Sequence, residues 1–259
     1  MQNLHTDNRK FMQCPSFKDI MFESDQTKGV DPPSFSKPIA GDIIKLPSFD
    51  DVLTTRDYMQ LVEARHSLRE YSGKPMTQAQ LAFMLWSAQG VKSYRGNVAT
   101  FRTVPSGGAR HPFETYIAVQ AIEGLAPGLY RYLPLENVGE KAVTIERLGS
   151  IEDYTSKITA MLAGQAWAAK APVILFYSCI PYRAEWRYDS AAHRVVLIDL
   201  GHLGQNVMLS AVALGLGSCC MAAFDQQLCD DTLGFDGLDE YTVYAISVGE
   251  RNREGNKHA

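Results

Sequence analysis

The chain has 259 residues, 46% of them apolar, which suits one large domain with a substantial core. Its net charge of −4 and isoelectric point near 5.9 offer no positive field for nucleic acid or an anionic membrane. No apolar run approaches the roughly 20 residues of a spanning helix and no secretory signal pattern opens the chain, so we expect a cytoplasmic protein.

The five cysteines are an odd, scattered set without a CxxC motif or a Cys/His spacing suited to zinc. We therefore expect neither a disulfide framework nor a metal site. Cys219 and Cys220 are adjacent and open to interpretation as a redox pair. Neighbours on an extended segment point to opposite faces, however, which favours small buried side chains.

Residues 1–50 show no hydrophobic period and contain prolines that disfavour a continuous helix or a central strand. We expect this segment to form an N-terminal arm lying over one domain of residues 51–259.

Four segments have helical patterns. The first begins at Thr54 and stops at RHSLREYSG, and the second covers residues 77–91 with Thr77 as its N-cap. A third lies around residues 155–169. The longest, 190–214, is apolar on more than one face, so the core or another subunit must cover it.

Segments rich in β-branched and aromatic residues predict strands. They cover residues 114–122, 128–134, 142–148, 172–180 and 241–249. Together with the helices they predict an α+β domain around a mainly antiparallel sheet.

The sequence RHSLREY gathers Arg65, Ser67 and Arg69 within five residues at the end of a helix. Two guanidinium groups and a hydroxyl make a good cradle for a phosphate dianion. From these residues alone, a solvated basic patch is an equal alternative.

Three other segments are candidates for ligand contacts, each with a plain structural alternative. The loop TVPSGGARHP (103–112) lets backbone amides approach a ligand, but also suits an ordinary turn. The segment GLGSCCMAAF (215–224) leaves room for an aromatic ring or for tight packing. In SVGERNR, Arg251 and Arg253 are candidates for ligand contacts, and the structural alternative is that both are simply solvated.

Signatures of other enzyme classes are absent from the sequence, including GxGxxG after a strand, a Walker loop, GxSxG and HExxH. His111, His193 and His202 are well separated. We expect them to be structural rather than ligands or bases.

In order, RHSLREY, PSGGARHPFETY, DLGHLGQNVMLSAVALGLGS, AAFD and SVGER resemble the nitroreductase superfamily, and more closely its SagB-type (SagB/ThcOx) dehydrogenase branch. The resemblance covers about residues 50–252. It implies a nitroreductase-like α+β fold over residues 51–259, with a mainly antiparallel sheet flanked by helices and FMN at a homodimer interface. The 190–214 helix would pack in that interface, with Gln205 and Asn206 buried.

The resemblance also assigns cofactor contacts, in three groups. The phosphate group maps to RHSLREY and the last strand: Arg65, His66, Ser67, Arg69 and Arg251. The loop that reaches the flavin of the other subunit maps to Pro105, Ser106 and Gly107. The backbone facing the flavin ring, with a donor toward N5, maps to Cys220, Met221, Ala222 and Ala223.

One departure concerns the candidate catalytic residues. SagB-type azoline oxidases carry a Lys-Tyr pair where this chain has Arg187 and Tyr188. Arginine keeps the charge but cannot act as a base. Alternatively, both residues merely begin the long helix and face solvent or the subunit interface.

The resemblance implies an FMN-dependent oxidoreductase that transfers hydride by a ping-pong mechanism to or from a small or peptide-borne substrate. NAD(P)H is a candidate electron donor. The alternatives are an azoline oxidase in peptide maturation and a flavin-binding docking subunit with little turnover.

Overall fold

The computed structural model describes residues 23–252, together with Arg9 and Gln13. Nine strands are described: β1 (Asp42–Lys45), β2 (Val91–Arg95), β3 (Ala99–Arg102), β4 (Phe113–Val119), β5 (Gly128–Tyr132), β6 (Thr144–Gly149), β7 (Val173–Cys179), β8 (Gly217–Met221) and β9 (Tyr241–Gly249). Seven form an antiparallel sheet in the order β1-β6-β5-β4-β7-β9-β8, and β2 and β3 form a separate hairpin.

The α-helices of the described region are α1 (Tyr58–Ala64), α2 (Gln78–Gln89), α3 (Tyr154–Met161), α4 (Tyr182–Tyr188), α5 (Ala192–Ala213) and α6 (Gln226–Leu233). The predicted class, an α+β fold with a mainly antiparallel sheet flanked by helices, is confirmed.

Both faces of the sheet are buried because alternate residues of each central strand pack into different cores. Ile117 of β4 lies in the core that includes α2 and α5, whereas Tyr116 lies in the core that includes α3 and α6. This explains why β4 and β7 are buried along their whole length.

Most predicted elements are confirmed, with ends shifted by a few residues. Thr77 caps α2 through a capping box with Gln80, as its sequence predicts. The helix predicted over 155–169 is shorter, because Ala163 and Gly164 adopt positive φ angles and end it. The sequence patterns missed β1, β8, the β2–β3 hairpin and the short helices α4 and α6.

The arm is tied to the rest of the fold by buried basic residues from a loop, α4 and β5. Arg110 donates to the Pro33 carbonyl at 3.4 Å, Arg183 to Ser34 at 2.9 Å and Arg131 to Pro38 at 2.6 Å. Strand β1 then joins the sheet at its edge, beside β6. A domain boundary at residue 50 stays a prediction, and most of residues 1–22 lie outside the described residues.

Among the described residues, one helical stretch, Tyr182–Ala213, is long enough and apolar enough to cross a membrane, judged by length and composition alone. The sequence patterns did not anticipate it, because α4 and α5 follow each other with only a short turn between them. The run breaks at Asp189, where φ is +44°. Within the fold, α5 packs against α2, β8 and β9.

Candidate functional site

The segment after α1 runs extended beside β8. Leu68 donates its N–H to the Ser218 carbonyl at 2.9 Å. A Cβ at Gly217 would lie 2.5 Å from the Leu68 side chain, so glycine allows this close approach. The buried Tyr71 hydroxyl contacts Ser247 Oγ at 2.7 Å and fixes the segment to β9.

Three arginines lie on this segment and just after the end of β9, whose continuation pairs with the segment. Alternation along extended chain puts Arg65, Ser67 and Arg69 on one side, and Arg251 pairs through its backbone with Tyr71. Within residues 23–252, no acceptor or carboxylate binds the guanidinium of Arg65, Arg69 or Arg251. Such uncompensated cations suit a phosphate dianion.

A cavity of about 590 Å³ opens beside the same segment, within the usual size range of small-molecule pockets. His66 and Arg251 lie on its wall with the apolar side chains of Leu68 and Leu216. His66 is exposed, and its Nδ1 contacts the Ala64 carbonyl at 2.8 Å.

The backbone after β8 offers free hydrogen-bond donors. Ala222 and Ala223 are exposed, and no group in the described part of the chain accepts a hydrogen bond from either backbone N–H. The Ala223 carbonyl accepts from Gln165 Nε2 at 2.8 Å. The two methyl side chains leave room for a flat ligand over this backbone.

The cysteines of β8 point to opposite faces of the sheet, as predicted. Cys220 packs toward α5 and Cys219 toward α3 and α6. Among the described residues, the four cysteines have free thiols, and no cluster of histidine, cysteine and acidic residues could hold a metal ion.

Asp199 of α5 holds the loop that contains Ser106 and Gly107. Pro105, which directly precedes these two residues, is exposed. Ser106 Oγ donates to Asp199 Oδ2 at 2.6 Å, and the Gly107 N–H lies 3.0 Å from both carboxylate oxygens. The pKa of Asp199 is raised above its usual value, because burial outweighs the lowering effect of these hydrogen bonds. Sequence reasoning missed Asp199, although a lone acid in an apolar helix was a usable signal.

Arg187 and Tyr188 flank the same loop at the end of α4. Gly108 has φ +58°, and a Cβ there would lie 2.4 Å from Arg187 Cδ and 2.9 Å from the Tyr188 hydroxyl. Arg187 Nη1 donates to Gln26 Oε1 at 3.1 Å. Both residues end α4, and a short turn at 189–191 separates them from α5, so a catalytic role for the pair stays a prediction.

The loop and the arginine segment lie on different sides of α5. Asp199 holds the loop, whereas Gly204 faces Cys220 and Tyr244. Five residues along a helix correspond to a rotation of about 140°. One chain thus presents two separate groups of candidate site residues.

The polar residues of α5 differ from expectation in one case. Asn206 is half-buried and donates to the Ser87 carbonyl at 3.0 Å, as predicted. Gln205 is exposed in the single chain, so the expectation that it is buried is wrong within one copy. Its position on the helix turns its side chain away from the core.

His111 has a structural role, as predicted. It is 3% exposed, and burial together with the nearby Arg102 lowers its pKa to about 2. His193 contacts Glu185 at 2.9 Å on the surface. His111 is therefore neutral at neutral pH and is not a proton donor there.

This lowered pKa predicts acid sensitivity. Below pH 6.5, His111 takes up a proton in the unfolded chain but not in the folded chain. The contribution of neutral His111 to the unfolding free energy is therefore present above pH 6.5 and is lost as the pH falls toward about 2. From His111 alone, the protein should lose about 1.1 kcal/mol of unfolding free energy per pH unit on average between pH 6.5 and 5, and the slope should approach about 1.4 kcal/mol per unit near pH 5. Urea unfolding measures this slope.

His111→Asn should flatten the slope, because asparagine does not titrate and tolerates the φ of +47° at this position. The exposed His202→Asn variant is the matched control and should keep the wild-type slope. Equal slopes in wild type and His111→Asn would contradict the assignment.

The chain is similar to several known proteins. It is 30% identical over 208 residues to MJ1384 of Methanocaldococcus jannaschii, which is named as a nitroreductase; the match covers 80% of this chain and 96% of that protein. It is 29% identical over 164 residues to the trifolitoxin-processing protein TfxB of Rhizobium leguminosarum bv. trifolii, and 28% over 153 residues to the microcin B17-processing protein McbC of Escherichia coli. These matches cover 61% and 57% of this chain but only 41% and 52% of those proteins.

Solved structures share the fold. A nitroreductase structure from Anabaena variabilis matches with a TM-score of 0.62 and 22% identity, over 82% of this chain and 42% of that chain. A chain of the Escherichia coli microcin synthetase McbBCD complex, solved with truncated pro-MccB17 bound, matches with a TM-score of 0.60 and 21% identity. The match covers 95% of this chain and 92% of that chain. The nitroreductase family profile matches residues 62–250, and the chain therefore belongs to the nitroreductase family.

Proposed function

We propose that this chain binds FMN and transfers hydride by a ping-pong mechanism to or from a small or peptide-borne substrate. Nitroreductase-family members generally use a flavin cofactor. The observation that carries the proposal is the set of arginines without acceptors among the described residues, Arg65, Arg69 and Arg251, together with the free backbone donors of Ala222 and Ala223.

The donor set fits FMN better than FAD. A cluster of arginines suits a terminal phosphate dianion, and the sequence has no Rossmann motif for an adenine nucleotide. The backbone at Cys220–Ala223 would face the ring, with an N–H toward N5. When bound, the flavin supplies the hydride chemistry, and the protein groups orient substrate and tune the ring.

We propose that a second copy completes the site. Ser106, Gly107 and Arg187 lie on a different side of α5 from the arginines, so they would meet the flavin held by the other subunit. Leu197 and Ile198 of α5 are 52% and 51% exposed in one chain. Exposed apolar residues on a central helix suit an isologous interface between identical subunits.

We expect a mass in solution near twice 28.7 kDa. Leu197→Glu should shift the protein toward monomer and weaken FMN binding, because a charge would be buried in the interface. Leu238→Glu is the matched control, since Leu238 is 76% exposed and far from α5 in sequence. A flavin-loaded monomer in the wild type, measured by light scattering, would contradict the shared site.

A second candidate function is peptide maturation. Two relatives are peptide-processing proteins, and the fold matches a chain of the microcin synthetase complex. In that setting the protein would act as an azoline oxidase or as a flavin-binding docking subunit with little turnover.

The test of the main proposal is to release the cofactor with acid and identify it by chromatography. FMN is expected, at about one per chain. FAD, or no flavin after reconstitution with FMN, would overturn the proposal. Anaerobic reduction by NADH, NADPH or a substrate would distinguish an enzyme from a docking subunit, which would keep its flavin oxidised.

A further inference from the structure

A short loop after α3, residues 163–167, contacts both parts of the proposed flavin half-site. We call it the 163–167 loop. Its backbone is bent sharply, with φ of +52° at Ala163 and +85° at Gly164. The Gly164 N–H donates to the Thr159 carbonyl at 2.8 Å, which anchors the bend to the end of α3.

Gln165 connects this loop to the backbone after β8. Its Nε2 donates to the Ala223 carbonyl at 2.8 Å and to the Leu162 carbonyl at 3.0 Å. Ala223 lies outside β8, so strand pairing does not fix it. The Gln165 amide therefore limits rotation of the backbone whose N–H groups are exposed.

Trp167 connects the same loop to the arginine segment. The Arg69 guanidinium lies over its indole ring, 5.9 Å from the centroid. The same ring stacks on Tyr71, at 6.5 Å between centroids and 23° between planes. A cation held over an aromatic face has fewer conformations, so Trp167 preorganises Arg69 for an anion.

We propose that the 163–167 loop is a positioning element of the flavin site, in which Gln165 sets the backbone that faces the ring and Trp167 sets the arginine that binds the anionic end. This inference rests on the proposed function. The two contacts lie within three residues, so one rigid loop couples the ring position to the anion position. Neither residue need touch the flavin.

The experiment compares FMN affinity, flavin midpoint potential and apoprotein melting temperature. FMN affinity is measured by titrating apoprotein at fixed concentration and following the flavin fluorescence. Gln165→Glu keeps the side-chain size but cannot donate, and Gln165→Leu removes the polar group. Both should weaken FMN binding by about three- to tenfold and shift the midpoint potential.

Trp167→Leu should weaken binding by about threefold or more, whereas Trp167→Phe keeps an aromatic face for Arg69 and should retain most of the affinity. The matched control is Gln227→Leu, which removes an exposed glutamine that contacts Asp231 at 2.8 Å on α6. This variant should leave affinity and potential unchanged.

Two outcomes overturn the inference, and they differ. If wild type binds FMN and the Gln165 and Trp167 variants match it in affinity and potential, the loop has no positioning role. If wild type binds no FMN, the proposed function fails as well. A lower melting temperature with unchanged affinity and potential would mean that the contacts only stabilise the fold, which also overturns the inference.

Discussion

Replacing Arg69 or Arg251 with alanine should weaken FMN binding by roughly tenfold or more in each case, because a charge-assisted hydrogen bond contributes about 1.5–3 kcal/mol. The double variant should lose roughly a hundredfold or more if the two effects add. Both side chains lack an acceptor among the described residues, so no internal hydrogen bond is lost with them. Titration of apoprotein with FMN measures the effect.

The unfolding free energy of these variants shows whether the loss of FMN affinity comes from a damaged fold. Arg251→Ala should change the unfolding free energy by less than about 0.5 kcal/mol, as expected for an exposed side chain with no hydrogen-bond partner among residues 23–252. Arg147→Ala on β6 is the matched control, because β6 lies far from β8 in the strand order. Wild-type FMN affinity in both Arg69→Ala and Arg251→Ala would mean that these arginines are only solvated.

The second expected result is poor oxidation of a peptide azoline by the wild-type protein. Converting an azoline to an azole removes a hydride, which passes to the flavin, and a ring proton, which needs a base within hydrogen-bond reach. An arginine cannot serve as this base, unlike the lysine of the related Lys-Tyr pair. Tyr188 supplies only a phenol, which can accept a proton only as its phenolate.

Arg187→Lys should therefore gain azoline oxidation, measured as loss of two hydrogens from the peptide by mass spectrometry. Its flavin content should stay near wild type, because lysine keeps the positive charge at this position. Tyr188→Phe serves as the comparison variant. Efficient wild-type turnover that Tyr188→Phe abolishes would show that an arginine-supported tyrosinate does the work and that our assignment is wrong.

The sequence predicted those parts of the site that depend on local pattern. In RHSLREY, the alternation of side chains along an extended backbone alone puts Arg65, Ser67 and Arg69 on one side and Leu68, which is buried, on the other. The same alternation separates Cys219 from Cys220 across β8. Thr77 was likewise recognisable, since an N-cap depends on residues three apart.

The parts that were missed depend on contacts distant in sequence. Asp199 holds a loop 92 residues away, and Gln165 holds a backbone carbonyl 58 residues away. An acid or an amide in a sequence does not specify which backbone group it meets. The β2–β3 hairpin was missed because its short strands, VKSYR and ATFR, are mostly polar or exposed.

A site shared between two copies can be tested by mixing two defective chains. One carries Arg69→Ala with Arg251→Ala, and the other carries Asp199→Leu, which releases Ser106 and Gly107. Each homodimer should bind FMN weakly. Each mixed dimer should contain one intact site, so random co-assembly should recover about one quarter of the wild-type flavin content. A mixture that binds no more FMN than its parents would contradict the shared site.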